Sequence, residues 1–180
     1  SKDQVILPIG KSGHLGYGNL CTQSAQKVDS SKLTNIDLSD LQNQVIVAGS
    51  GISLDQLQQE LIQRNHWLPI RPPFSHRGYT LGGLIALGAC GPERISYGAP
   101  RDLLLGLRYI NHEGQLISTG GKVMKNVSGY DMTRLITGSA GTLGFITEAT
   151  LRVLLIPERC VTLVSSGSFE ICSNMAMEFV

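Results

Sequence analysis

The sequence is poor in charge and offers no paired cysteines. Charged residues make up 16% of the 180 residues, the formal net charge is +1, and there is one Trp. Because no basic tract is present, general attraction to nucleic acid or to an anionic membrane is not expected. The four cysteines are widely spaced, without a CxxC pair. Neither a disulfide framework nor a metal site is therefore predicted.

Long apolar runs and two familiar nucleotide signatures are also missing. No signal peptide or transmembrane segment is visible, and a cytoplasmic location with reduced thiols is expected. Gly49-Ser-Gly51 lies between a strand and a helix, but Leu54 stands where a Rossmann fingerprint has its third glycine. Gly121-Lys122 is followed by Val123 rather than Ser or Thr, which argues against a P-loop.

Hydrophobic residues, at 42%, suffice for one core or for two small lobes. Apolar patterns predict strands over residues 5–9, 33–38, 44–48, 145–156 and 160–165, and a hairpin formed by 104–111 and 115–119. Helices are predicted over 54–65, from 80 onward, over 131–136 and over 169–180, with Ser53 and Ser168 as N-caps. The chain starts without Met and stops inside a predicted helix, so we expect an excised fragment.

Two stretches are dense in glycine, which is costly to order. Residues 10–18 hold four glycines in nine positions, together with Ser12 and His14. Such a loop can present successive backbone amides to an anion, but it can equally be a surface connection between strands. Residues 120–148 hold further glycines among apolar residues, as expected where the backbone closely approaches a flat ring or a phosphate.

The second stretch resembles the pattern KNVxGYDxxRLxxGSxGTLGxxxE of the FAD-binding subunits of glycolate oxidase. The matching positions are Lys125, Asn126, Val127, Gly129, Tyr130, Asp131, Arg134, Leu135, Gly138, Ser139, Gly141, Thr142, Leu143, Gly144 and Glu148. Residues 8–15 are similar to the PxGxGxxL pyrophosphate loop of vanillyl-alcohol-oxidase type flavoproteins, and residues 80–83 to their T-(I/L)-G-G segment. The chain therefore resembles the PCMH-type FAD-linked oxidases.

The resemblance implies a set of positions that contact FAD. The pyrophosphate loop supplies Pro8, Gly10, Lys11, Ser12, Gly13, His14 and Leu15, with Lys11 and Ser12 where glycines are common. The helix start and the loop after it supply Thr80, Leu81, Gly82, Gly83, Gly91, Gly98, Arg101 and Asp102. The last loop supplies Gly138, Ser139, Gly141, Thr142, Gly144 and Ile146, with Gly144 and Ile146 as the favoured main-chain contacts.

Some of these positions also have a simpler structural interpretation. Gly82 and Gly83 allow close packing of a helix start, and exposed Arg101 and Asp102 can pair with each other for about 0–1 kcal/mol. His14 is shifted by one position from the GGH run that carries covalent flavin in some relatives, so non-covalent FAD is expected. Lys125 and Tyr130 face the flavin or a partner, unless Tyr130 lies in the core.

The implied fold is α+β: a two-lobed PCMH-type domain with two small sheets, one from each half of the chain, and flanking helices. Residues 1–75 and 76–157 would form the lobes with FAD between them, and 158–180 would begin a truncated substrate domain. The implied activity is oxidation of a 2-hydroxy acid such as glycolate or D-lactate by hydride transfer to flavin N5. No catalytic base or substrate clamp can be placed in this chain.

The resemblance also implies partners, namely sister flavoprotein and iron–sulfur subunits, through which the protein would lie at the periphery of the inner membrane. Two alternatives stay open. The chain is either a non-catalytic FAD-binding or assembly module of a complex, or part of a sugar or alditol oxidase with the same fold. Polyol oxidation or a covalent flavin link would favour the oxidase, whereas glycolate or D-lactate oxidation favours the first interpretation.

Overall fold

The computed structural model describes residues 5–13, 15–17, 24–75, 78–121 and 131–178. The strands in these ranges are β1 Ile6–Ile9, β2 Gln26–Asp29, β3 Ile36–Asp37, β4 Val45–Gly49, β5 His66–Trp67, β6 Leu104–Ile110, β7 Leu116–Gly120, β8 Phe145–Arg152 and β9 Leu154–Leu155. The helices are α1 Leu54–Ile62, α2 Leu81–Leu87, α3 Arg94–Tyr97, α4 Pro100–Leu103, α5 Met132–Ile136 and α6 Phe169–Met177, with a 3₁₀ turn at Leu41–Asn43. This mixture confirms the predicted α+β class. Within the same ranges, no helix is long and apolar enough to cross a bilayer.

The main sheet is antiparallel and has the strand order β3-β4-β8-β6-β7. Strand β8 is central, because Ala149 pairs with Ala48 of β4 on one side and with Leu107 of β6 on the other. The expectation of one sheet from each half of the chain is therefore wrong: β4, from the first half, finds its hydrogen-bond partners in β8, from the second. The domain boundaries at residues 75 and 157 stay a prediction.

Two further strand pairs flank the main sheet. Strands β1 and β2 run parallel, with Ile9 opposite Asp29. Strands β5 and β9 are antiparallel, with Trp67 opposite Leu154. The first of these pairs carries the chain into the glycine-rich loop at residue 10, and so it positions one side of the candidate site.

The core lies between the main sheet and the helices. Ile46 of β4 faces Leu151 of β8, and both side chains are almost completely buried. Leu57 of α1 and Leu84 of α2 have no exposed surface and belong to the same cluster. Burial of a leucine side chain contributes about 1.5–3 kcal/mol relative to exposure, so these contacts fix α2 firmly against the sheet.

The predicted N-caps are confirmed. The Ser53 hydroxyl accepts a hydrogen bond from the Gln56 N–H at 3.2 Å, and the Ser168 hydroxyl accepts one from the Ile171 N–H at 3.4 Å. Helix α1 ends at Ile62 rather than at residue 65, because the chain turns there through Asn65, which has a φ of 59°.

Two strand predictions differ from the structure. The strand expected over 145–156 breaks at Val153, whose N–H donates to the Gln44 carbonyl at 2.8 Å, so that the next two residues pair with β5 instead. The strand expected over 160–165 is wrong: this segment has no strand partner among the described residues. Val161 and Val164 are 79% and 89% exposed, as expected for apolar residues of a segment that does not pair with a described strand.

Candidate functional site

Helix α2 organises the region to which the predicted cofactor residues belong. At its first residues, the Leu81 N–H donates to the Ile52 carbonyl at 2.9 Å and the Gly82 N–H to the Ser50 carbonyl at 2.7 Å. The N-cap Thr80 is buried, and its hydroxyl accepts from the Gly83 N–H at 3.2 Å. The first amides of α2 are thus satisfied inside the chain, which supports the packing interpretation of Gly82 and Gly83.

The loop that follows β1 lies against this helix start. A Cβ placed on Gly10 would collide with the Thr80 hydroxyl, so only glycine allows the loop to pass this closely. Beyond Gly10, the N–H groups of residues 11–13 donate no hydrogen bond to any described residue. Ser12 has a φ of 59°, and a left-handed residue within a run of amides that lack a described acceptor is typical of an anion-binding nest.

A second loop docks at the other end of α2. The helix ends at Gly88, which has a left-handed φ of 62°. The Gly138 N–H donates to the Ile85 carbonyl at 3.0 Å, and the Ala140 N–H to the Ala86 carbonyl at 2.7 Å. A Cβ on Gly141 would lie 3.5 Å from Pro8 Cγ, so the loop near residue 140 lies against β1, the strand that leads into the glycine-rich loop at residue 10.

The 138–142 loop holds its own shape through short-range contacts. The Thr142 hydroxyl donates to the Ser139 carbonyl at 2.7 Å. The Ser139 hydroxyl is buried and finds no hydrogen-bond partner within the described parts of the chain. The Thr142 side chain therefore stabilises the turn, whereas the Ser139 hydroxyl has no partner among the residues that the structure describes.

A cavity of about 460 Å³ opens beyond the C-terminal end of α2. It is lined by residues 87–90 and by Gly13, Gly16, Tyr17, Pro73, Phe74 and Tyr79. Ligand cavities usually measure about 300–1,000 Å³. None of the described residues that line the cavity is acidic, so these residues present no fixed negative charge to an anionic ligand.

The structure places several predicted site residues away from this cavity, where they serve packing. A Cβ on Gly91 would collide with the Arg71 carbonyl, and one on Gly144 would lie 2.7 Å from the Tyr109 ring. The Ile146 and Leu81 side chains lie in the core.

The segment at 98–102 forms a turn of its own. Gly98 has a φ of 86°, and a Cβ there would lie 2.9 Å from that of Asp102. The Asp102 carboxylate accepts from the Ala99 N–H at 2.9 Å, which caps α4. Arg101 and Asp102 also form a loose exposed pair with a distance of 3.8 Å. This supports the structural interpretation of these two residues.

Sequence reasoning missed much of the cavity wall. Of the predicted positions, Gly13 lines the cavity, whereas Tyr17, Phe74 and Tyr79 had not been singled out. The available signal was the position of these aromatic residues next to glycine or proline in the sequence. Leu15, another predicted position, is exposed to solvent. The predictions for His14, Lys125 and Tyr130 lie outside the described residues.

Lys11 brings positive charge to the loop at residues 10–13. Its side chain lies beside Gly78, with Nζ 3.8 Å from the position of a Cβ on that glycine. Gly78 adjoins Tyr79, which lines the cavity. In the part of the chain that the structure describes, no cluster of three or more His, Cys, Asp or Glu side chains is arranged to hold a metal ion.

This fold and this site define an FAD-binding module. Residues 1–120 match the family model described as the FAD binding domain, and the chain belongs to that family. The cavity size fits an extended nucleotide cofactor, as do the amides at 11–13 and the non-acidic lining among the described residues. The predicted FAD is confirmed as the cofactor of this family.

Three similar proteins show which flavoproteins within the family the chain resembles. The chain is 40% identical over 131 residues to glycolate oxidase subunit GlcE of Escherichia coli, covering 73% of the chain and 37% of that protein. It is 35% identical to D-lactate dehydrogenase of Archaeoglobus fulgidus (83% and 33% covered) and 34% identical to glycolate oxidase subunit GlcD of Bacillus subtilis (89% and 34% covered). The chain thus spans about a third of the length of these relatives.

A solved structure supports the fold independently of sequence. An alkyldihydroxyacetonephosphate synthase superposes with a TM-score of 0.71 over 87% of this chain and 30% of its own, at 24% identity. The predicted PCMH-type fold is confirmed by this similarity.

Proposed function

We propose that this chain is the FAD-binding domain of a flavin-dependent oxidoreductase that oxidises a 2-hydroxy acid such as glycolate or D-lactate. The observation that carries the proposal is the position of the 138–142 loop, which contacts both the C-terminal end of α2 and Pro8 of β1. Strand β1 leads into the 10–13 loop, and Gly13 of that loop lines the cavity of about 460 Å³. The names of the similar proteins, two glycolate oxidase subunits and a D-lactate dehydrogenase, supply the substrate class.

The amides of residues 11–13, which have no acceptor among the described residues, would hold the diphosphate together with the Lys11 ammonium nearby. The 138–142 loop would support the nucleotide from the side of Pro8. Bound FAD supplies the electron acceptor for a hydride equivalent from the substrate C2. The residues of this chain would bind and orient the cofactor. Leu84 and Ile85 are buried in the core, so they exclude water from the face of α2 that packs against the sheet.

A general base and a carboxylate clamp are also required for this chemistry. The part of the chain that matches each similar protein covers only about a third of that protein. We assign these groups to a substrate domain that begins near residue 158, after the lobes 1–75 and 76–157. We further assign the whole protein to a cytoplasmic complex with sister flavoprotein and iron–sulfur subunits, peripheral to the inner membrane.

The first test is the visible absorption spectrum of the purified chain, before and after acid precipitation, with FAD added if it is colourless. Flavin bands at a stoichiometric level that acid releases into the supernatant would support a non-covalent site. Colour retained in the pellet would instead implicate a covalent link such as one through His14. Absence of binding would contradict the proposed cofactor role.

The second test uses the full-length protein under anaerobic conditions. Addition of glycolate or D-lactate should bleach the visible flavin bands, and a dye acceptor should restore them. Reduction by polyols alone would favour a sugar or alditol oxidase. A protein that retains FAD and co-purifies with other subunits, but is reduced by none of these substrates, would be an assembly module.

A further inference from the structure

Phe74 combines two unusual features at the mouth of the cavity. Its side chain is 58% exposed although it is a large apolar residue, and it lines the cavity together with Tyr17 and Tyr79. Its backbone has a φ of 56°, a left-handed conformation that is rare for bulky residues. Strained residues persist where the surrounding structure over-determines them, and such positions cluster at ligand sites.

Neighbouring residues hold this strained conformation in place. The Tyr79 hydroxyl donates to the Pro73 carbonyl at 3.0 Å, directly before Phe74. The Gly78 N–H donates to the Ser75 carbonyl at 2.8 Å, directly after it. Pro72 is buried and Pro73 has a fixed φ, so the approach to Phe74 is restricted as well. The loop therefore presents the Phe74 ring at the cavity instead of letting it turn into the core.

We propose that Phe74 is a cofactor-positioning residue whose ring forms the wall against which the flavin ring of FAD packs. Aromatic side chains bury large apolar area and prefer other aromatic rings as neighbours, and the flavin is the larger flat ring of this cofactor. Tyr17, which is 69% exposed and lines the same cavity, provides a second aromatic edge. The inference rests on the proposed location of the FAD site.

A matched pair of variants separates the ring from the strained backbone. Phe74→Ala and Phe74→Gly both remove the ring, but only glycine adopts a φ of 56° without a Cβ penalty. Both variants should bind FAD about tenfold or more weakly than the wild-type chain. The melting temperature of the Phe74→Gly chain without FAD should exceed that of Phe74→Ala by about 2 °C. Phe169→Ala, at an 89% exposed aromatic residue in α6, is the control and should leave affinity unchanged.

The readouts are FAD titration followed by fluorescence and, at saturating FAD, the circular dichroism of the visible flavin bands. Weaker binding with reduced visible dichroism in both variants, and recovery of both in Phe74→Tyr, would support the proposal. Unchanged affinity, or weaker binding with unchanged visible dichroism, would overturn it, because the ring would then not meet the flavin. Equal melting temperatures for the Ala and Gly variants would overturn the role of strain.

Failure of the underlying cofactor site has a different signature. A wild-type chain that does not bind FAD would contradict the proposed function itself, and the Phe74 inference with it. A wild-type chain that binds FAD, with variants that bind equally well, would remove only the role of Phe74.

Discussion

The two ends of helix α2 use glycine for opposite purposes. At the N-terminal end, a Cβ on Gly82 would lie 2.8 Å from that of Ser50, and one on Gly10 would collide with Thr80. At the C-terminal end, a Cβ on Gly138 or on Gly16, in the nearby cavity wall, would meet no atom of the described residues within 4 Å. The first end is closed by protein atoms, whereas the second leaves space for a ligand.

This difference teaches that a glycine motif does not by itself locate a ligand. The T-L-G-G segment matches its family pattern at 80–83, yet the N–H groups of Leu81, Gly82 and Gly83 are all bonded within the chain. The loop at residues 11–13 departs from its family pattern at Lys11 and Ser12, yet its N–H groups donate to none of the described residues. Each end can therefore be tested separately, for stability and for FAD affinity.

The largest effect on stability is expected from Gly82→Ala at the closed end. The added methyl group would press on the Ser50 side chain at 2.8 Å and on its carbonyl at 3.1 Å, and overpacking of this kind costs about 2 kcal/mol. The adjacent Gly83→Ala is the control, because its Cβ would meet only the Thr80 hydroxyl, at 3.1 Å. Urea unfolding measures both variants. Equal stability of the two would show that the N-terminal end is not closed.

A smaller loss is expected from Gly88→Ala at the open end. The new Cβ would approach Gly138 Cα at an ordinary 3.4 Å, so the cost comes from the φ of 62° and amounts to about 1 kcal/mol. Gly88→Asn should lose less, since asparagine tolerates the left-handed region. The same urea titration applies, and a loss equal to that of Gly82→Ala would contradict the distinction between the ends.

Gly16→Trp should leave the free energy of unfolding within about 0.5 kcal/mol of wild type, because no atom in the described parts of the chain lies within 4 Å of its Cβ position. The indole would nevertheless occupy the cavity and abolish FAD binding. Thermal unfolding without FAD and a fluorescence titration with FAD measure the two effects. Undiminished affinity would place the cofactor elsewhere. Gly144→Trp is a poorer probe, since its clash with Tyr109 would disturb the core.

The smallest effect on stability is expected from a change at Asp29. This residue lies in β2, which pairs with β1, the strand that leads to Gly10. Its carboxylate accepts from the Ser31 N–H and hydroxyl, both at 2.8 Å, and these bonds, the backbone one foremost, lower the pKa of Asp29 below its ordinary value. The unfolded chain therefore binds the proton more readily. The resulting stability is present above about pH 4 and is lost as the pH falls through the lower folded pKa.

The comparison of wild type with Asp29→Asn measures this contribution. The melting temperature of the wild type, relative to that of the variant, should be slightly higher at pH 6 than at pH 3. The expected change is small because Asp29 is exposed. A difference in melting temperature that does not change with pH would show that the carboxylate does not contribute to stability.

Local signals in the sequence predicted most of the elements. Ser53, Asp131 and Ser168 each cap the start of a helix, because a cap depends on residues within one turn of it. The failure at 160–165 has the opposite cause: a strand depends on a distant partner, which an alternating pattern does not supply. For the same reason, the insertion of β8 beside β4 was not foreseen.

The candidate site was less accessible to sequence reasoning. Gly91 and Gly144 match the family pattern but pack against Arg71 and Tyr109, contacts that only the tertiary structure reveals. Phe74 carries no motif, and its role depends on a backbone angle and on hydrogen bonds around it. Family patterns therefore indicated the class of ligand, whereas the cavity wall emerged only from the fold.

The central position of β8 has a consequence for biosynthesis. Ala48 pairs with Ala149, so β4 leaves the ribosome long before its neighbour does. At a translation rate of about 5–20 residues per second, that delay lasts about 5–20 s. During this interval the apolar run Val45-Ile46-Val47 has an unpaired edge, which invites pairing with other chains. A chaperone that binds nascent chains would protect this protein mainly during the interval between the synthesis of β4 and that of β8.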